Sequence, residues 1–308
     1  MAHDHAHGSA HAHDHAPKDF GTAFAVGIGL NLAFVATEAV YGYLAHSLAL
    51  LADAGHNLSD VLGLALAWGA TVLVKRQPTR RRTYGMRRSS ILASLLNAVL
   101  LLVAIGAIAW EAIGRFSSPQ PVASGTVMAV AGIGVVINGI TAWLFVAGSK
   151  NDVNIRGAFL HMAADAAVSL GVVVAALAMR TTGWLWLDPT VSLVIVVVIA
   201  VGTWGLLKRS LDLAMDAVPP HIDPQDVEGY LAGLPGISAV HDLHIWGMST
   251  TEVALTVHLV KPDAQIEDAL LARIQHDLHT QFGIDHTTVQ LELGDKAHPC
   301  GQAPVSTV

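Results

Sequence analysis

Residues 47–74 read SLALLADAGHNLSDVLGLALAWGATVLV. A helix rises about 1.5 Å per residue and a hydrocarbon core is about 30 Å thick, so an apolar run of this length has the reach to cross a bilayer. Its middle nevertheless holds Asp53, His56, Asn57 and Asp60. Ionisable groups at that depth cost on the order of 2.5–3.5 kcal/mol each even on a permissive insertion scale, so residues retained there point to a task inside the membrane.

On either side lie further apolar segments, at about 20–44, 89–113, 122–147, 156–179 and 187–207. Together they predict an α-helical membrane protein with six transmembrane helices across residues 20–211. The last begins with Asp188-Pro189, which reads as an N-cap followed by proline at the first helical position. Composition agrees: 53% of the 308 residues are hydrophobic and 13% charged, against roughly 45–50% and about 25% in soluble domains. The mean hydropathy is +0.51.

The formal charge of -7 divides unevenly, because residues 1–211 carry 14 Lys/Arg against 10 Asp/Glu and residues 212–308 carry 3 against 14. Nucleic-acid binding is excluded on this ground, since phosphate affinity needs basic surface. Between the second and third helices, KRQPTRRRTYGMRR at 75–88 holds seven basic residues, and Lys18, Lys150, Arg156, Lys208 and Arg209 fall on the same side if the helices alternate. Only Arg115 and Arg180 fall on the other, which places both termini in the cytoplasm. The basic loop could also contact anionic lipid, but a topology signal suffices. The lack of a transit-type segment and the Ala/Val/Gly-rich helices fit a bacterial inner (plasma) membrane.

Residues 1–19 begin MAHDHAHGSAHAHDH, which holds six of the 17 histidines. The segment is expected to be a disordered cytoplasmic tail that either collects metal or is merely solvated. After Pro219-Pro220, a helix near 223–234, strands near 237–246 and 252–260, a helix near 265–282 and a strand near 286–293 predict an αββαβ domain over 212–295, with a sheet edge or face open to a partner. Residues 296–308 read as a disordered tail holding Cys300, and this single cysteine excludes an intrachain disulfide or a multi-thiolate cluster.

His56 and Asp60 form an H-x-x-x-D pair, and so do His161 and Asp165 in the fifth helix. Residues four apart share a helix face, about 5–6 Å between Cβ atoms. Two such faces turned together would offer two nitrogens and two carboxylate oxygens, a donor set that suits four-coordinate Zn²⁺. Two carboxylates neutralise a divalent cation, and imidazoles can accept protons when it leaves. A single pair would more simply be an intrahelical hydrogen bond; the duplication favours metal. Asp53 reads as either a vestibule carboxylate or a helix-start residue, Asn57 as a supporting group, and Glu38 and Glu111 as helix-boundary residues with a proton path as the alternative.

SLALLADAGHNLSDVLGL, RTYGMRRSSILASLLNA, NIRGAFLHMAADAAVSLGVV, LDPTVSL and VHDLHIWGMSTTEVALTVHLV, in that order, resemble the cation diffusion facilitator family of zinc-exporting antiporters over about residues 20–295. The resemblance implies a homodimer in the lipid bilayer, a metallochaperone-like cytoplasmic domain, and protons as counter-ion. It places the transport site on His56, Asp60, His161 and Asp165, with Zn²⁺ the first choice and Co²⁺ or Cd²⁺ possible. It implies a dimer-holding pair of Arg88 with Asp216 or Asp212, and one weak regulatory site drawing on His241, His258, His286 or Glu292. This chain departs from the family pattern at Ser90, where a glutamate is usual, at Gln290, where the last strand usually has a histidine, and in the basic loop, which lacks the ligands some relatives use there. His241 and His244 would lie on opposite strand faces unless a bulge intervenes. The expected function is divalent cation efflux as a Zn²⁺/H⁺ antiporter working by alternating access, with no enzymatic activity and no cofactor. A membrane-embedded metallohydrolase or a metal sensor using the same ligands is the alternative.

Overall fold

A computed structural model of the protein describes residues 20–74, 77–146, 153–263 and 268–302. The histidine-rich segment 1–19 and residues 303–308 lie outside the described residues. Long helices come first: α1 (Phe20–Leu44), α2 (Leu48–Val74), α3 (Ser89–Ser117), α4 (Ser124–Phe145), α5 (Val153–Thr182) and α6 (Leu187–Ala214). Among the described residues, α3, α4, the Phe159–Thr182 part of α5, and α6 are long and apolar enough to cross a membrane. In α2 the apolar run is interrupted by Asp53, His56, Asn57 and Asp60. Helix α4 packs on α5, α3 on α6, and α2 against α1, α3 and α6. Their shared interior includes Leu50, Ile105, Val127, Val172 and Ile195. Outward-facing Val103, Trp110, Ile140, Trp143, Val201 and Trp204 are exposed, an apolar surface that lipid rather than water would cover.

Gly134 allows one close approach. A Cβ there would come within 3.0 Å of Phe34 and 3.1 Å of the Ser169 hydroxyl, so a larger residue would need those two side chains to give way.

The Asp188-Pro189 signal acts differently from its local reading. The N-cap position of α6 is Trp186, and Asp188 lies inside the first turn. Its carboxylate is fully buried and faces the start of α2. There it accepts hydrogen bonds from Ser47 Oγ at 2.6 Å, Leu48 N at 2.9 Å and Ala49 N at 3.3 Å. Asp188 thus adds to the cap on α2 from another helix, meeting the N–H groups of Leu48 and Ala49 while Ser47 Oγ accepts from Leu50 N at 3.3 Å. Arg115 completes the cluster, 3.4 Å from Asp188 and bonded to the His46 carbonyl.

The second unit contains α7 (Pro224–Ala232), β1 (Ala239–Gly247), β2 (Val253–Val260), α8 (Asp268–Phe282) and β3 (His286–Glu292). Asp223 caps α7 by accepting from Gln225 N at 2.9 Å, with Pro224 behind it. The sheet order is β1-β2-β3, with β1 antiparallel and β3 parallel to the central β2. Val227, Leu231, Leu255, Leu259, Ile274 and Leu278 form the core. The alternating pattern leaves Thr256, His258 and Val260 on the face away from it.

The β1 register shifts between His241, opposite His258, and His244, opposite Thr256. Asp242, at the bulge, has φ 51. The extra residue returns His244 to the same face as His241, the exception allowed for in the sequence reading.

At the junction of the units, Ser90 Oγ accepts from Thr250 N at 3.1 Å and Arg87 pairs with Glu252 at 3.0 Å. Ser90 therefore joins the two units without a charge.

Candidate metal centre

Helices α2 and α5 bring the two H-x-x-x-D pairs together inside the helical unit. His56 Nε2 lies 3.2 Å from Asp165 Oδ1 on the opposite helix and 3.9 Å from Asp60 on its own. His161 Nε2 likewise lies 3.2 Å from Asp60 on the opposite helix and 3.6 Å from Asp165 on its own. Each imidazole is thus closer to the other helix's carboxylate, and the rings meet edge to face at 6.1 Å. One donor atom each from His56, Asp60 and Asp165 fits within 4.8 Å, close enough for a single cation, whereas His161 falls outside this group of three. Asp165 is buried, whereas His161 and Asp60 keep side-chain exposures of 43% and 35%, so the site opens on their side.

A buried polar layer lies beside these side chains. Asp53 accepts from Ser169 Oγ at 2.9 Å, joining α2 to α5 one turn beyond Asp165. Fully buried, Asp53 is neither a vestibule group nor a helix start. Glu38 accepts from Asn57 Nδ2 at 2.9 Å and is also fully buried, which corrects its reading as a boundary residue. The Glu38 and Asp53 carboxyl groups also face each other between α1 and α2, close enough to share a proton. Glu111, in contrast, is a boundary residue, exposed and 3.3 Å from Arg115. Ser169 was legible in principle because it lies four residues after Asp165; Glu38 was marked by its charge in an apolar helix, but its pairing with Asn57 arises only through the packing of α1 on α2.

The other candidates lie in and beside the second unit. Arg88 Nη2 donates to Asp216 Oδ1 at 2.5 Å, joining the start of α3 to the residue after α6. Both side chains are about half exposed and border a cleft of about 1020 Å³, also lined by Tyr84, His244 and Trp246. His241 Nε2 lies 3.2 Å from Glu292 Oε2, and His258 Nδ1 lies 2.9 Å from Glu292 Oε1. His286 stands at the other end of β3, its ring 5.5 Å from that of Tyr84. Cys300, expected in an unstructured tail, places Sγ 3.5 Å from His258 Nδ1. Burial pushes the Glu292 carboxyl up, but hydrogen bonds from Cys300, Gln290 and His241 outweigh it and hold the group below its ordinary value. The Gln302 backbone pulls the Cys300 thiol down, while burial and the facing Glu292 carboxylate push it above its ordinary value.

Residues 24–213 match the cation efflux transmembrane domain, and residues 219–293 match the cytoplasmic domain of cation efflux proteins. The chain belongs to the cation efflux family. Among curated cation efflux proteins it is 36% identical over 297 residues to the metal cation efflux system protein CzcD of Cupriavidus metallidurans, covering 96% of this chain and 92% of that one. It is 37% identical over 295 residues to the zinc transporter ZitB of Escherichia coli, covering 95% and 93%. It is 36% identical over 264 residues to the cadmium, cobalt and zinc/H⁺-K⁺ antiporter of Bacillus subtilis, covering 84% and 85%. The solved metal-bound C-terminal domain of the CzcD transporter from Cupriavidus metallidurans shares 35% identity, covers 23% of this chain and all of that one, and has a TM-score of 0.22. As a cation efflux protein, this chain is an integral membrane transporter of divalent cations.

Proposed function

We propose that the protein exports cytosolic Zn²⁺ in exchange for protons, with His56, Asp60, His161 and Asp165 as the transport site. The crossed pairing of α2 and α5 carries this reading. Two carboxylates balance the charge of a divalent cation, and two imidazole nitrogens supply the borderline donors that Zn²⁺ accepts. Co²⁺ and Cd²⁺ tolerate the same donors. When the cation leaves, the imidazoles take up protons, so metal and proton occupy the site by turns. Because the ligands are shared between two helices, alternating access in this reading moves α2 and α5 together against the other helices, so that the shared site stays intact while the side it opens to changes.

In this reading all six long helices cross a bacterial inner membrane, both termini face the cytoplasm, and the acidic unit attracts cations there. The working form is a homodimer, held in part by Arg88 and Asp216. His241, His258 and Glu292 form a cytosolic regulatory site, with the N-terminal histidines as a collector. Reconstituted vesicles test the central claim. Asp60→Ala and Asp165→Ala should each abolish Zn²⁺-driven proton flux, and normal flux in either would overturn the site assignment.

A further inference from the structure

We propose that Cys300 completes the cluster of His241, His258 and Glu292 as a thiolate ligand, making a soft-cation site that clips the C-terminal tail to the cytoplasmic sheet. The inference rests on reading the two histidines and Glu292 as cation ligands and adds the fourth donor.

The four donor atoms lie within 4.8 Å of one another. Tetrahedral Zn²⁺, with bonds of about 2.0–2.3 Å, needs donors roughly 3.3–3.8 Å apart, so small side-chain rotations suffice. Sγ of Cys300 already stands 3.5 Å from His258 Nδ1, the nitrogen turned to Glu292. The other ring nitrogen of His258 is 3.5 Å from Asp242, whose carboxylate would orient the imidazole as outer-shell partners of metal-bound histidines do. The β1 bulge thus serves the cluster by placing Asp242 there.

The tail is built to return. Just past β3, Gly294 has φ +71, and a Cβ on it would stand 2.8 Å from Val260 Cγ1. Only glycine fits that turn, both for its backbone conformation and for its contact with β2. Asp295 then accepts from Ala297 N and pairs with His298 at 2.9 Å each, closing a tight turn that brings Cys300 back over the sheet. Thiolate is the softest donor in the chain, so the site takes Zn²⁺ and Cd²⁺ ahead of Mn²⁺. On binding, the S–H bond breaks, a sulfur–metal bond forms, and the thiol proton goes to solvent.

Cd²⁺ titration of the full-length protein in detergent reads this site separately from all others. With one cysteine in the chain, the ultraviolet thiolate-to-cadmium charge-transfer band reports Cys300 alone. The band should appear in the wild type, vanish in Cys300→Ser, and need at least about 10-fold more Cd²⁺ in His258→Ala and Glu292→Gln, since losing even an outer-shell partner costs about that much. Gly294→Ala should raise the midpoint in the same direction. No band at saturating Cd²⁺, or an unchanged midpoint in His258→Ala and Glu292→Gln, overturns the proposal. Cadmium NMR separates the two layers of the inference. A resonance with only nitrogen and oxygen donors that disappears in His258→Ala would keep the histidine site and refute Cys300, whereas no resonance sensitive to His258 would refute the site itself.

Discussion

Asp188→Ala removes the carboxylate that joins three helices, and its cost can be worked from the contacts. One hydroxyl and two backbone N–H groups lose an ionised acceptor. An N-cap loss alone costs about 0.5–2 kcal/mol, and hydrogen bonds to charged groups are each worth about 1.5–3 kcal/mol. Arg115, only 11% exposed, loses a counter-charge, and breaking such a buried pair costs about 3–5 kcal/mol. These contributions overlap, and Arg115 keeps Glu111 and the His46 carbonyl. A net loss of about 3 kcal/mol is therefore expected, equivalent to a fall of about 6–12 °C in the melting temperature for this size of chain. Melting in detergent, followed by loss of the monodisperse chromatographic peak, measures it. Asp188→Asn, which keeps one acceptor oxygen, should lose about half as much. Adding Arg115→Ala to Asp188→Ala should cost less than Arg115→Ala alone, because the charge is then already unpaired. Apparent Zn²⁺ affinity should not move, since His56 lies about 12 Å along α2 from Leu48. A melting temperature within about 2 °C of wild type would refute the cross-helix cap.

Arg88→Ala should change the melting temperature little, because the pair with Asp216 is about half exposed and such pairs are worth at most about 1 kcal/mol. If the pair holds the dimer, analytical ultracentrifugation will show a larger monomer fraction. His56→Asp exchanges a borderline nitrogen for a hard oxygen and adds negative charge. Flux assays with Zn²⁺, Co²⁺ and Mn²⁺ should then show a lower preference for Zn²⁺. Outside the membrane, burial pushes the Tyr230 hydroxyl from its ordinary 10.0 up to about 12, helped by its hydrogen bond to Asp277 and that residue's charge and opposed by Arg273. A raised folded value means that this contribution to stability is complete below pH 10 and is lost as pH rises towards 12. Tyr230→Phe should remove that step from the pH dependence of the unfolding midpoint.

Whatever depends on helical or strand period was legible along the chain. His56 with Asp60 and His161 with Asp165 announce themselves because four residues make about one turn. The αββαβ order follows from changes of period between Pro224 and Glu292. Asp223 and Pro224 begin a helix where their local chemistry says, since nothing distant competes for them. At Asp188 the same local chemistry misleads, because the α2 N-terminus and Arg115 offer the carboxylate more than its own helix does.

The remaining assignments needed tertiary packing. That each histidine faces the carboxylate of the other helix depends on the rotation of α2 against α5, which no i,i+4 spacing encodes. Glu38 became part of the interior only when α1 packed on Asn57. His244 changed strand face through one inserted residue, since strand parity reverses with each residue added. Cys300 met His258 across 42 positions of chain because Gly294 turns the tail back over the sheet. Composition and periodicity are properties of neighbouring residues, and they determined the helices, the strands and the two H-x-x-x-D pairs. The approach of those pairs across α2 and α5, the cap on α2 and the place of the lone thiol are contacts between distant residues, and only the folded chain decided them.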